Sequence, residues 1–221
     1  NTSFTVTFCC ELPFEKFPYF QFIKANYTYS GDFDWQRGSQ TLLQLAHQDI
    51  NKLQNANTHN FTANLTFDQL YRYLGVKPTG RDEKASIGKT FATMLKTIGV
   101  NYSRTNGKTI PGYTQQVGFL GTFKPSTGFM FGDQSDIRYE LAKRGYLTDF
   151  ADFNDQFIQS KERELTLTAN LQPIPDLQIN LKANRQYTQN YTETFEVRDF
   201  VYNRLVGNEV GSFNISTNLI A

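Results

Sequence analysis

Strict two-residue alternation over residues 25–36, ANYTYSGDFDWQ, is the feature that most constrains the fold. Alanine, glycine and aromatic residues occupy the odd positions, and polar residues occupy every even position. Because successive side chains of a β-strand point to opposite faces, this pattern predicts a strand with one apolar and one polar face. The run exceeds the roughly 5–6 residues of an average strand and suits the roughly 9–11 residues of a tilted strand that crosses a bilayer.

The same alternation recurs along the chain and predicts an all-β fold of about seven strands. The predicted strands occupy residues 3–10, 22–36, 57–67, 92–104, 164–172, 176–190 and 211–220. Their polar positions are mostly Thr, Asn, Gln, Ser and Lys, which indicates a wet face. Aromatic residues make up 15% of the chain although its mean hydropathy is −0.49. A sheet with one apolar face in lipid and one face in water would combine these two properties.

The opening stretch supplies the candidate functional residues. The alternation predicts that four aromatic side chains face lipid: Tyr27, Tyr29, Phe33 and Trp35. It predicts that four polar side chains face a watery lumen: Thr28, Ser30, Asp32 and Asp34. A soluble β-sandwich with one solvated face would show the same pattern and remains the alternative. No run of about 18 apolar residues occurs, so the sequence predicts no transmembrane helix.

Connection lengths predict a membrane topology. Short turns at 11–18 and 172–176, together with the segment 68–90, fall on the periplasmic side. Three longer stretches fall on the extracellular side: 37–56, 105–163 and 191–210. Two unrelated sequence stretches meet abruptly near residues 80–81, and we expect a gap in the chain at this point. Since the smallest bacterial membrane barrels have about eight strands, we expect a wall segment of a larger antiparallel transmembrane β-barrel.

One short helix is predicted inside the long stretch 105–163, at DQSDIRYELAKRGY, residues 133–146. Ser135 is a suitable N-cap, and Asp136 suits the positive N-terminus of the helix. Gly145 provides a suitable stop. The extracellular stretch is therefore expected to be folded.

Motifs for catalysis, cofactors and metals are incomplete. The GKT at 88–90 has Glu83 where a phosphate-binding loop needs glycine. The stretch 32–38 has its glycine one place late for a calcium loop. His47 and His59 lack the spaced partners of a zinc site. The sequence predicts no catalytic residue, no cofactor and no metal, and therefore no enzyme.

The net charge bears on the choice of partners, and the positions of the cysteines bear on a possible disulfide. The formal net charge of +1 gives no reason to expect a nucleic acid. The two cysteines, Cys9 and Cys10, are adjacent. Neighbouring Cα atoms lie about 3.8 Å apart, closer than a usual disulfide allows. We therefore expect two small side chains on opposite faces of the first strand.

Three stretches resemble the SprA/Sov family of outer-membrane translocons from the type IX secretion system of Bacteroidetes-type bacteria. The longest is TNGKTIPGYTQQVGFLGTFKPSTGFMFGDQSDIRYELAKRGYLTDFADFNDQF, residues 105–157. Residues 12–39 and 171–197 resemble later strands of the same family. Tyr146 departs from the tryptophan expected there, and both are amphipathic aromatic residues.

The resemblance implies an unusually wide single-chain barrel in the cell outer membrane that passes folded cargo carrying a C-terminal signal domain. It also implies two protein partners, a PorV-type shuttle barrel and a periplasmic plug, beside the outer-membrane lipid. The expected function is therefore protein export. The alternatives from the residues alone are an outer-membrane uptake transporter or porin, and a soluble all-β glycan-binding module.

Overall fold

The structure, a computed structural model, describes residues 2–75, 93–117, 124–174 and 176–220. These residues form one antiparallel sheet of seven strands in chain order, which confirms the predicted all-β class. The strands are β1 Thr2–Leu12, β2 Ile23–Gln36, β3 Asn51–Thr66, β4 Leu95–Tyr113, β5 Phe157–Ile174, β6 Leu177–Arg198 and β7 Val201–Ile220. The expected sequence break at 80–81 lies outside the described residues.

Several strands are longer than the alternation predicts. The prediction that residues 191–210 form a loop is wrong, because β6 continues to Arg198 and β7 begins at Val201; their extracellular position remains a prediction. Asp199 and Phe200 reverse the chain with φ angles of 50° and 64°, as a tight hairpin turn requires. Glu193 occupies one of the otherwise apolar positions of this stretch. The alternation of hydrophobic residues is therefore broken there and does not indicate a strand. Strands β4 and β5 likewise extend into the predicted loop at 105–163, which is reduced to residues 114–156.

The short helices lie in the connections. They are a 3-10 helix at Phe14–Lys16, α1 Gln40–Ala46, α2 Phe67–Tyr73, α3 Thr127–Met130 and α4 Arg138–Lys143. The described part of the long connection therefore contains two short helices rather than the predicted one. Within the described residues, none of the helices is long and apolar enough to cross a membrane.

Helix α4 is the predicted helix, but it begins later than expected. Ile137 occupies the N-cap position, and Ser135 instead donates to Asp133 Oδ2 at 2.6 Å. The expected stop is confirmed, because Gly145 has a φ of 70° and its N–H bonds the Ala142 carbonyl at 2.9 Å. A glycine in this left-handed conformation ends many helices.

The described residues of the connection between β4 and β5, which are 114–117 and 124–156 and are hereafter the long loop, fold over one end of the sheet. Phe129, Met130, Leu141, Ala142 and Leu147 of this loop enter a core with Phe33, Leu53, Ile110, Phe157 and Phe195 of the sheet. That end of the sheet is hereafter the loop end. The opposite end, where β1 ends and β2 begins, is the turn end.

Candidate functional surface

The strand register joins the polar positions into one continuous surface, hereafter the polar face. One row from β2 to β7 consists of Asn26, Thr62, Asn101, Thr166, Asn184 and Ser216. Hydroxyls bond neighbouring amides along this row: Thr62 Oγ1 lies 3.4 Å from Asn101 Oδ1, and Thr166 Oγ1 lies 3.4 Å from Asn184 Oδ1. The surface therefore presents mostly short hydroxyl and amide groups.

The four polar positions predicted in 25–36 share this face. Asp32 Oδ1 accepts a hydrogen bond from Thr5 at 2.8 Å, and Asp34 Oδ2 accepts one from Gln36 at 2.7 Å. Thr28 lies 3.3 Å from the sulfur of Cys9, and Ser30 pairs with Thr7 on β1. The assignment of this face to a watery lumen remains a prediction.

The other side of the sheet carries an apolar band near the turn end. Three neighbouring rows form it, and they include Ile23, Ala25, Phe61, Ala63, Leu65, Ile98, Val100, Leu165, Leu167, Ala169, Leu181, Ala183, Ile215 and Leu219. Val100 shows the geometry of the band, because it pairs with Ala63 on one side and Leu167 on the other. The band crosses the sheet from β2 to β7.

Aromatic side chains lie beyond both ends of the apolar band. Beyond its turn end, in the connections, Tyr19 contacts Tyr73 with ring centroids 5.3 Å apart, and Phe22 contacts Phe67 at 6.1 Å. At the loop end, on the apolar side of the strands, stand four tyrosines: Tyr27, Tyr29, Tyr102 and Tyr187. An aromatic girdle at the edge of an apolar band is typical of the outer surface of a transmembrane barrel.

One of the four predicted lipid-facing residues is covered by protein. Phe33 is 2% exposed and packs edge-to-face on Phe129, with ring centroids 6.1 Å apart. The prediction that Phe33 faces lipid is therefore wrong, because alternation specifies the face of a strand but not what covers it. Trp35 is partly buried against the same core, and its contact with lipid remains a prediction.

The other two aromatic residues are held by hydrogen bonds of their hydroxyl groups, and Tyr29 contacts the long loop. Tyr27 OH lies 2.6 Å from His59 Nδ1, and Tyr29 OH donates to the Phe131 carbonyl at 2.5 Å. Tyr29 therefore stands where the apolar side of the sheet passes under the loop. Contact of Tyr27 and Tyr29 with lipid remains a prediction.

Sheet amides hold the backbone of the long loop. Asn55 Nδ2 donates to the carbonyls of Phe129 at 3.1 Å and Asp133 at 2.8 Å, and Asn57 Nδ2 donates to that of Gly132 at 2.8 Å. The approach is close, because a Cβ at Gly31 would lie 2.5 Å from the Phe131 carbonyl oxygen. These contacts fix the backbone of the long loop against β2 and β3.

A buried ion cluster around Glu193 fixes the loop to the long hairpin of β6 and β7. Glu193 Oε1 accepts from Arg138 Nη1 at 2.6 Å and from Tyr202 OH at 2.7 Å, while Arg204 Nε lies 3.3 Å from Oε2. The Arg138 guanidinium also lies 3.9 Å from the centre of the Phe157 ring. The alternation of apolar and polar residues does not reveal this cluster. The sequence signal for it is a lone acid, Glu193, among the apolar positions of β6.

The arginine also changes the acid–base behaviour of the loop. A hydrogen bond from Arg138 Nη2 to Asp136 Oδ2, 2.8 Å long, lowers the pKa of that carboxyl below its ordinary value. Burial alone would lower the pKa of Arg138, but its bond to Asp136 and the charge of Glu193 raise it overall. The pair is therefore ionised at neutral pH.

Comparison with known proteins gives no family. No model of a known protein family matches the chain, and no curated protein matches it. Among the described residues, no group of three or more His, Cys, Asp or Glu side chains could hold a metal ion. The two-faced sheet and its docked loop are therefore the features on which a function can be argued.

Proposed function

We propose that this chain is part of the wall of a large outer-membrane β-barrel that exports folded proteins, as the SprA/Sov-type translocons do. The single observation that carries the proposal is the polar face, which continues from strand to strand opposite an apolar band. A lumen lined by short hydroxyl and amide groups stays wet and offers folded cargo little apolar surface to adhere to.

The dimensions of the apolar side support insertion in a membrane. On β6 the apolar side extends from Leu177 to Tyr187 and is interrupted by Arg185; its two ends lie about ten residues apart, or roughly 33 Å at about 3.3 Å per residue. A tilt of about 40° would reduce this to a height of roughly 25 Å, the height of the apolar band on outer-membrane barrels. The rest of β6 and the docked loop would then stand outside the membrane.

The open edges support membership of a larger barrel. Within the described residues, β1 pairs only with β2, and β7 pairs only with β6. Unpaired N–H and C=O groups at such edges cannot be hydrated in hydrocarbon, so neighbouring strands must cover them. The resemblance suggests the partners of such a barrel: a PorV-type shuttle barrel, a periplasmic plug, and cargo with a C-terminal signal domain.

Site-specific photocrosslinking during secretion tests the export function. A photoreactive amino acid at Asn101, on the polar face of the full-length protein, should capture a tagged cargo protein that carries the C-terminal signal domain. The matched position Val100, next in sequence but in the apolar band, should not.

The other outcomes separate the alternatives. Capture at neither Asn101 nor Thr166, from a protein that resides in the outer membrane while cargo is secreted, would contradict export and favour an uptake barrel. Release of the protein from membranes by alkaline carbonate would contradict membrane insertion and favour a soluble β-module.

A further inference from the structure

Three arginines cluster on the apolar side of the sheet, at the loop end of the apolar band. Arg104 and Arg163 are direct cross-strand partners on β4 and β5. Arg185 on β6 pairs with Leu165 and therefore lies in the outermost row of the apolar band, one row nearer the turn end than the other two arginines. All three side chains are exposed.

Nothing in the described part of the chain neutralises these charges. None of the three arginines forms an ion pair there: Glu162 alternates onto the polar face, and Glu164, which pairs with Gln186 across the strands, borders the recess described below without pairing with an arginine. Like charges directly opposite one another on a sheet are destabilising. The cluster is therefore an uncompensated positive site, which an anion from outside the chain would stabilise.

The surroundings suit an amphiphile rather than a small ion. The guanidinium of Arg163 lies 5.9 Å from the Tyr187 ring centre, and that of Arg185 lies 5.3 Å from the Phe213 ring centre. A recess of about 220 Å³ opens between Tyr102, Arg163, Glu164, Leu165, Arg185 and Tyr187. Its apolar lining continues into the apolar band, while guanidinium groups provide the paired donors that phosphate oxygens favour.

We propose that Arg104, Arg163 and Arg185 bind the phosphate of a lipid headgroup whose acyl chains lie along the apolar band. This inference rests on the proposed membrane insertion and deepens it by naming the lipid chemistry at one height of the wall. The anionic headgroup complements the charge of the cluster, and the acyl chains complement the apolar rows directly below it.

The test uses the full-length protein in lipid nanodiscs with phosphatidylglycerol as the probe, against nanodiscs of phosphatidylcholine alone. Native mass spectrometry and thermal melting should show retained phosphatidylglycerol and a higher melting temperature for the unmodified protein. The variant R104Q/R163Q/R185Q should retain this lipid roughly tenfold more weakly or worse, since several charge-assisted hydrogen bonds are lost. The control K24Q/K182Q, which removes two exposed lysines from the polar face, should retain the lipid as well as the unmodified protein does.

Two further measurements keep the result interpretable. In phosphatidylcholine alone, the arginine-to-glutamine variant should melt no lower than the unmodified protein, because like-charge repulsion has been removed. The variant R104K/R163K/R185K keeps the charge and should recover part of the lipid retention.

The remaining outcomes count against the proposal. Equal lipid retention by the arginine-to-glutamine variant and the control would overturn it. An equal rise in melting temperature with inorganic phosphate in place of phosphatidylglycerol would also overturn it, since the site would then recognise a free anion. Failure of the full-length protein to enter nanodiscs would overturn the proposed function and this inference together.

Discussion

The Nη1 atom of Arg138 lies 2.6 Å from Oε1 of Glu193, and their side chains are 6% and 1% exposed. One residue belongs to the long loop and the other to β6, so this ion pair joins the loop to the sheet. Removal of one partner from a buried pair leaves an uncompensated charge, which costs about 3–5 kcal/mol. The pair therefore makes the docking of the loop sensitive to a single substitution.

Arg138→Ala should destabilise the docked loop by about 3–5 kcal/mol and expose it to proteases, because Glu193 loses its strongest partner. Limited proteolysis of the full-length protein, with mapping of cuts in 124–156, measures this. Arg144→Ala is the matched control, since Arg144 forms only an exposed pair with Glu140 on the same helix and should cost under about 0.5 kcal/mol. Equal cleavage of the two variants would contradict the role of the buried pair.

Gly31→Ala should lift the loop from β2, because the added Cβ would lie 2.5 Å from the backbone oxygen of Phe131. Overpacking of this kind costs about 1–3 kcal/mol. Hydrogen exchange of the peptide 126–137 measures the effect. Gly99→Ala is the control: its Cβ would meet an atom at the same 2.5 Å, but that atom is the Thr168 hydroxyl, which can rotate away. Unchanged exchange in Gly31→Ala would show that the close approach does not matter.

Acid should loosen the loop. The pKa of Asp136 is lowered below the ordinary 3.8, chiefly by the hydrogen bond from Arg138. A lowered pKa in the folded state means that the stabilisation is complete above 3.8 and is lost as the pH falls through the folded value. Since the Asp136 side chain is partly exposed, the loss of stability on its protonation is modest.

The pH dependence is measured as the hydrogen-exchange protection of the loop peptide 126–137, corrected for the intrinsic exchange rate at each pH, between neutral pH and pH values below the pKa of an ordinary aspartate. Asp136→Asn should be less protected than the unmodified protein at neutral pH, and its protection should depend less on pH. The same pH profile in both proteins would mean that another group controls the loop.

Val100→Arg and Asn101→Arg compare the two sides of β4 at one height. In lipid, the first change should cost about 2–4 kcal/mol because it places a charge in the apolar band, while the second should be tolerated. Refolding of the full-length protein into bilayers, followed by urea titration, gives both values. A larger penalty for Asn101→Arg would mean that the two faces are reversed.

The sequence predicted the sheet better than the surface that covers it. Alternation found a part of each of the seven strands in the described residues because a two-residue period is a local property, and Tyr27 and Thr28 lie on the opposite sides that it predicted. It failed at Phe33, because burial under Phe129 depends on a loop about a hundred residues away in the chain. It also failed at Glu193, where a buried acid in an apolar position is stabilised by partners from the loop and from β7.

The most direct test of the membrane-wall account uses the two native cysteines, which are adjacent on β1 and point to opposite sides of the sheet. Cys9 lies beside Thr28 on the polar face, whereas Cys10 pairs with Tyr27 on the apolar side. Intact outer membranes are treated with a charged maleimide that cannot enter lipid, and peptide mass spectrometry locates the label. The account predicts that Cys9 reacts in the native membrane and that Cys10 reacts only after denaturation. Equal labelling of both cysteines before denaturation, or labelling of Cys10 alone, would contradict it.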